Sequence, residues 1–226
     1  MTMIVITGAS DGLGLQIARL YKEAGKRVVN ISRRDSKYAT DNFLTDLTDA
    51  TSVASATEKI LAVNEPLEAL VNCAGVMSLE PLNKVTEGEL DRVFGVNIKG
   101  PILLVSGLTD RIKQDGTDIV NVSSTVGLKA YPDQAAYGSS KWAMRGFSQN
   151  LQVELKATNR VISFCVGGFK SDIAKKVHGQ DLPDPENWMN PEDIAVFMRQ
   201  ILGLPKNMEV SEIIINRRPA KLYKPD

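Results

Sequence analysis

The chain has 226 residues, with 27 Lys plus Arg, 27 Asp plus Glu, one His and two Cys, so its formal net charge is zero. Cys73, Cys165 and His178 are too few and too scattered for a structural zinc site, which needs about four Cys or His ligands at short spacing, and no disulfide scaffold is expected. A balanced charge also argues against nucleic-acid binding, which needs a basic face.

In chain order, the first expected element is a strand at Ile4–Thr7. The N-terminus shows no basic stretch leading into a long apolar one, so no secretory signal is expected. No apolar run reaches the ~20 residues that cross a bilayer, and the expected setting is cytoplasmic. A helix follows, in which Leu13, Ile17, Leu20, Tyr21 and Ala24 share one face and Gly25 stands at the C-terminal cap. Strands come next at Arg27–Ser32 and, briefly, Phe43–Thr45, then a helix at Ser52–Val63 and a strand at Leu67–Asn72. The helical stretch Glu87–Gln114 leads to a strand at Asp118–Ser123, and the helix Tyr137–Lys156 to a strand at Arg160–Val166. A helix at Pro191–Leu202 and a strand at Ser211–Asn216 end the series. Pro191 followed by Glu192 and Asp193 suits a first helical turn. The strands are apolar at consecutive positions, as in Ile213-Ile214-Ile215, which is the mark of strands buried on both faces of a parallel sheet. The alternation predicts one doubly wound α/β domain over residues 1–226, with a parallel, Rossmann-like sheet of seven strands.

Thr7-Gly8-Ala9-Ser10-Asp11-Gly12-Leu13-Gly14 sits between the first strand and the first helix. Glycines there permit a tight turn and close approach of a pyrophosphate to a helix N-terminus. The spacing is G-x-x-x-G-x-G rather than G-x-G-x-x-G, so alone it is equally a turn without a ligand. Further along come Asn72-Cys73-Ala74-Gly75, Asn97, Asn121-Val122-Ser123-Ser124 and Tyr137-Gly138-Ser139-Ser140-Lys141. This ordered set resembles the short-chain dehydrogenase/reductase family over Met3 to Asn216. Independently, Gly8, Ser32, Asp46, Asn72, Ser123, Ser124 and Gly167 each follow an expected strand. They collect at the edge where open parallel sheets bind ligands.

The second strand ends Asn30-Ile31-Ser32-Arg33-Arg34. An acidic residue there would hold the ribose of NAD, whereas Arg accommodates the additional phosphate of NADP. No acid precedes Ser32 in that strand, so NADP(H) is expected rather than NAD, with Ser32 and Arg33 on the phosphate and Arg34 stacking on adenine. Asp11 counts against this, because NADP-using relatives often carry a basic residue in that part of the loop. Asp46-Leu47 resembles the family's adenine-contacting pair, and Asp46 is otherwise an N-cap for the next helix. The resemblance makes Asn72 a brace of the central sheet and passes Ala74-Gly75 beside the ribose. Cys73, where the family has a second Asn, reads as a small apolar residue rather than a redox sensor.

Tyr137 and Lys141 are four apart on an expected helix and share a face. A free Tyr has a pKa near ~10, and an adjacent ammonium favours its phenolate. The family resemblance makes Tyr137 the acid/base for a carbonyl or alcohol, with Lys141 tuning it and holding the ribose. Ser124 would position the substrate oxygen, with neighbouring Ser123 as the other candidate. Asn97 lies among poor helix formers, which suits a kink that binds a water; in the family this Asn anchors a proton-relay water. Cys165-Val166-Gly167-Gly168-Phe169-Lys170-Ser171 resembles the family's Pro-Gly-x-x-x-Thr. It assigns Gly167, Phe169 and Ser171 to the cofactor, although Val166 replaces Pro.

The family resemblance makes the stretch about 172–190 the region that covers the substrate; here it is short and holds His178 and Trp188. His178 is expected on the surface. Met77, Ser78, Thr125, Tyr131 and Trp188 stand at family positions near substrate. Val93, Ile102, Leu103, Val105, Phe147, Leu151 and Leu155 serve either a two-fold interface, giving a homodimer or homotetramer, or the domain's own core. The rival reading of the whole chain is a non-catalytic NADP-binding sensor on the same fold. No metal is expected.

Overall fold

A computed structural model describes residues 1–172 and 185–218. The elements are β1 (Met3–Thr7), α1 (Gly12–Glu23), β2 (Arg27–Ser32), β3 (Asp41–Leu44), α2 (Ala50–Leu61), β4 (Leu67–Asn72), α3 (Glu87–Phe94), α4 (Gly100–Asp115), β5 (Asp118–Ser124), α5 (Ala135–Glu154), β6 (Val161–Val166), α6 (Pro191–Leu202) and β7 (Glu212–Ile215). All strand pairings are parallel, and the strand order is β3-β2-β1-β4-β5-β6-β7. The expected doubly wound, Rossmann-like α/β sheet of seven strands is therefore present.

Alternation along each strand feeds two cores. Met3 and Val5 of β1 face a cluster with α2, α4 and α5, which includes Val53, Leu104, Leu108 and Leu151. Ile4 and Ile6 face the opposite cluster with α1 and α6, which includes Leu13, Ile17, Ile194 and Met198. β1, β5 and β6 are buried at every position. The sheet order reverses between β1 and β4, so a crevice opens where Gly8 and Cys73 leave the carboxyl ends of those strands.

Two local expectations change. The stretch 87–114 is not one helix: a π-helical turn, Gly95–Lys99, joins α3 to α4. The N-cap of α2 is Asp49, whose carboxylate accepts from Thr51 N, and not Asp46. Asp46 instead closes the preceding turn, accepting from Thr48 N at 2.9 Å and Thr48 Oγ1 at 2.8 Å. Val93, Val105, Leu151 and Leu155 are buried within the chain, which makes them core, whereas Ile102 and Leu103 are exposed. His178 lies outside the described residues, as does most of the stretch 172–190.

Candidate active site

The crevice is built by close backbone approach. Gly8 has φ +75°, and a Cβ on it would lie 2.8 Å from Ala74 Cα. A Cβ on Gly14 would lie 2.3 Å from Gly8 O, so α1 starts hard against the turn. Thr7 Oγ1 accepts from Cys73 N and Ala74 N, both at 3.0 Å, and fixes the path of the chain leaving β4. The result is a cleft of about 230 Å³. Gly8, Ser10, Asp11, Gly12, Leu13 and Gly14 form its floor. Ser32, Arg33, Arg34, Asp46 and Leu47 form one wall, and Ala74, Gly75, Phe169 and Ser171 the other.

The charges at the cleft are mixed. Asp11 caps α1, accepting from Gly12 N at 2.7 Å. Its other oxygen lies 3.5 Å from Arg34 Nη2, an exposed pair. Ser32 Oγ donates to Arg34 O at 2.6 Å and shapes the turn. Arg33 is exposed at the cleft, and its charge, after two hydrogen bonds from Thr48, helps hold the Asp46 carboxyl below the usual carboxylate range.

A second pocket of about 420 Å³ adjoins the cleft, sharing Phe169 and Ser171 with it. Ser124, Tyr137, Lys141 and Gly167 line it, as do Met77, Thr125, Tyr131 and Trp188. Ser78 is buried and does not line it. Lys141 Nζ donates to Val122 O at 3.0 Å and lies 5.8 Å from the centre of the Tyr137 ring. Burial lowers the Lys141 pKa to about 8. Burial also raises the Tyr137 pKa, opposed by a hydrogen bond with Ser124. The ammonium thus does not depress the phenol in the chain alone, because its hydrogen bond is to the strand carbonyl and desolvation dominates.

The paired serines divide their work. Ser123 Oγ donates to Lys141 O at 2.9 Å and pins α5 to β5. Ser124 Oγ accepts from Val126 N at 3.2 Å, which orients it beside Tyr137.

Asn97 and Asn72 line neither pocket. The Asn97 amide accepts from Val76 N at 2.8 Å and donates to Val76 O and Ser140 Oγ, both at 2.9 Å. This ties the π-helical turn to both the β4 loop and α5. Asn72 Nδ2 donates to Asn121 Oδ1 at 2.8 Å, bracing β4 against β5. Cys73 is half-buried and lines both pockets, and desolvation pushes its thiol up to about 12.

Residues beyond the sequence reading join the site. Ser140 lies inside the Tyr137–Lys141 motif, so its position one residue before Lys141 was a usable signal. Lys129, Gln134 and Arg217 line the second pocket and belong to no motif. The Arg217 guanidinium stacks 4.7 Å from the Trp188 ring centre. Among the described residues no cluster could hold a metal ion, and no helix is long and apolar enough to cross a membrane.

A parallel sheet with a glycine turn at its switch point, facing a Ser, Tyr and Lys set on β5 and α5, defines the dehydrogenase class of Rossmann-like proteins. The chain belongs to the short chain dehydrogenase family, whose model matches residues 2–181, and it is an oxidoreductase of that type. An uncharacterized oxidoreductase of Listeria monocytogenes is 27% identical over 235 residues, covering 94% of this chain and 95% of that protein. An L-xylulose reductase of Caenorhabditis elegans is 27% identical over 227 residues, covering 93% and 84%. Among solved structures, an alcohol dehydrogenase of Thermococcus sibiricus complexed with 5-hydroxy-NADP matches with a TM-score of 0.86 at 25% identity, covering 97% and 99% of the two chains.

Proposed function

We propose that the chain is an NADP(H)-dependent carbonyl reductase or alcohol dehydrogenase in which Tyr137 is the acid/base. The observation that carries this reading is the pair of adjoining pockets that share Gly75, Phe169 and Ser171: the glycine cleft on one side, and Tyr137, Ser124 and Lys141 on the other. The cleft suits a dinucleotide, since side chains are excluded at Gly8 and Gly14 and the N-terminus of α1 points into it. Arg33 and Arg34, with no acid at the end of β2, favour NADP over NAD.

When bound, NADPH supplies the hydride that reaches the carbonyl carbon. Tyr137 donates its phenolic proton to the carbonyl oxygen, and takes one back in alcohol oxidation. Ser124 donates a hydrogen bond to the same oxygen as negative charge develops there. Lys141 would hold the ribose, and its ammonium, brought closer to the phenol oxygen, would favour the phenolate. Asn97 positions the relay through Ser140 and the Val76 backbone. Gly167 and Phe169 shape the nicotinamide end, with Ser171 as the polar contact. The exposed Ile102 and Leu103 on α4 fit pairing with a second copy, which sedimentation would read.

The test compares NADPH with NADH oxidation over aldehydes, ketones and quinones. Tyr137→Phe is expected to lower kcat by about 10²–10⁴. Turnover unchanged by that substitution defeats the mechanism. Equal use of both nucleotides, unmoved by Arg33→Ala, defeats the cofactor assignment.

A further inference from the structure

The second pocket is one-sided in charge. Exposed Lys129 and Arg217 line it together with buried Lys141, and no Asp or Glu among the described residues does. Composition does not explain this, because the chain carries 27 acids and 27 bases. Two other clefts mix their signs. The glycine cleft sets Asp11, Asp46 and Asp172 against Arg33 and Arg34. A cleft at the opposite end of the sheet sets Asp115, Asp118 and Glu209 among its cations.

Arg217 is also held in place. Its guanidinium stacks 4.7 Å from the centre of the Trp188 ring, and Trp188 is only 8% exposed. The ring is itself seated on Gly168, where a Cβ would lie 3.1 Å from it. A guanidinium over a ring face is held by the ring while its N–H groups remain donors. No ion pair engages Arg217 among the described residues. A planar fork of donors on a ring, facing a pocket without carboxylates, matches a planar carboxylate. Lys129 stands 5.1 Å from the Tyr131 ring on the same pocket and adds longer-range attraction. Arg217 does not line the glycine cleft, so the phosphate assigned to Ser32 and Arg33 is not its ligand.

We propose that the substrate carries a carboxylate, an oxo acid reduced to a hydroxy acid, with Arg217 as the residue that selects it. This rests on the carbonyl-reductase reading above. The carbonyl carbon receives hydride from NADPH and its oxygen receives the Tyr137 proton, giving the alcohol and NADP⁺. The carboxylate is unchanged.

The experiment pairs short oxo acids with their methyl esters in an NADPH-oxidation assay. The acid is expected to exceed its ester in kcat/KM by about tenfold or more, since removing one partner of a charged pair is worth at least that much. Arg217→Ala collapses that ratio, Arg217→Lys keeps part of it, and added salt erodes it. Esters equal to acids, a ratio that survives Arg217→Ala, or a preference for phosphorylated carbonyl compounds overturns the proposal. Calorimetric titration of the NADP⁺-saturated protein with glutarate separates the two readings. Glutarate binding lost in Arg217→Ala supports carboxylate selection even where no carbonyl is turned over, a result that would sink only the catalytic reading. NADPH oxidation of neutral ketones without glutarate binding sinks only the present one.

Discussion

At the scale of single residues, burial sets the electrostatics of the site. Lys141 is 5% exposed, and its pKa falls to about 8 because desolvation disfavours the ammonium. Below pH 8 both folded and unfolded chains hold the proton, and the folded chain bears the whole penalty. Between about 8 and the unfolded value near ~10.4 the folded chain has lost its proton and the unfolded chain has not, so stability rises with pH. Lys141→Met is therefore expected to raise the melting temperature at pH 7, with the advantage fading across that window, as scanning calorimetry at several pH values would show. Asp11 poses the opposite problem. Its carboxylate caps α1 and pairs with exposed Arg34, so it offsets charge that would otherwise attract phosphate. Asn caps a helix as well as Asp does. Asp11→Asn is expected to lower the KM for NADPH by about two- to fivefold at low salt and less at high salt, with little change for NADH. An unchanged KM in steady-state assays would show that the Asp11 charge does not reach the phosphate held by Ser32 and Arg33.

At the scale of elements, glycines mark where backbones meet. A Cβ on Gly100, at the start of α4, would lie 2.6 Å from Leu47 O and 2.8 Å from Leu47 Cβ. Leu47 lines the glycine cleft, so α4 supports that wall directly. Gly146 lies within α5 with nothing inside 4 Å of a Cβ. Gly100→Ala is expected to destabilise by about 1–3 kcal/mol through overpacking, and Gly146→Ala to stabilise by about 0.5–1 kcal/mol through helix propensity. Urea titration of both variants checks the pair. The sheet and its flanking helices were legible in the sequence because buried β-branched runs and the i, i+4 apolar faces are set by local pattern. The weak helix formers around Asn97 announced a distortion, but not that a π-helical turn would deliver the Asn97 amide to Val76 and Ser140. Those partners lie 21 and 43 residues away. The choice between Asp46 and Asp49 as cap was equally hidden, because it depends on how the Thr48 turn closes. Arg217 follows the last strand in no motif, and only the fold brings it to Trp188.

At the scale of the whole molecule, the two ends of the sheet do different work. The carboxyl ends carry the glycine turn, Ser124 and the approach to Tyr137, where loops diverge and clefts open. The amino ends are tied shut by Arg160. It pairs with Asp118 of β5 at 2.6 Å and 3.0 Å, and donates to the carbonyls of Leu202 and Leu204, both at 3.0 Å. One side chain thus locks the α6–β7 connection onto β5 and β6. Asp118 is 2% exposed, and its remaining cation, Lys206 at 2.9 Å, stands in solvent. Removing the guanidinium leaves a buried carboxylate without a buried partner. Arg160→Met is therefore expected to cost about 3–5 kcal/mol, which for a chain of this size lowers the melting temperature by roughly 6–20 °C. The crevice lies at the other end of the strands, and rigid packing between the two ends keeps its geometry as long as the chain is folded. Specific activity per folded molecule, measured well below the new transition, is expected to stay within about twofold of the parent. A parallel loss of kcat at that temperature would mean that β6 and β7 transmit strain from the clamp to Gly167, and that stability and chemistry are not separated along the sheet.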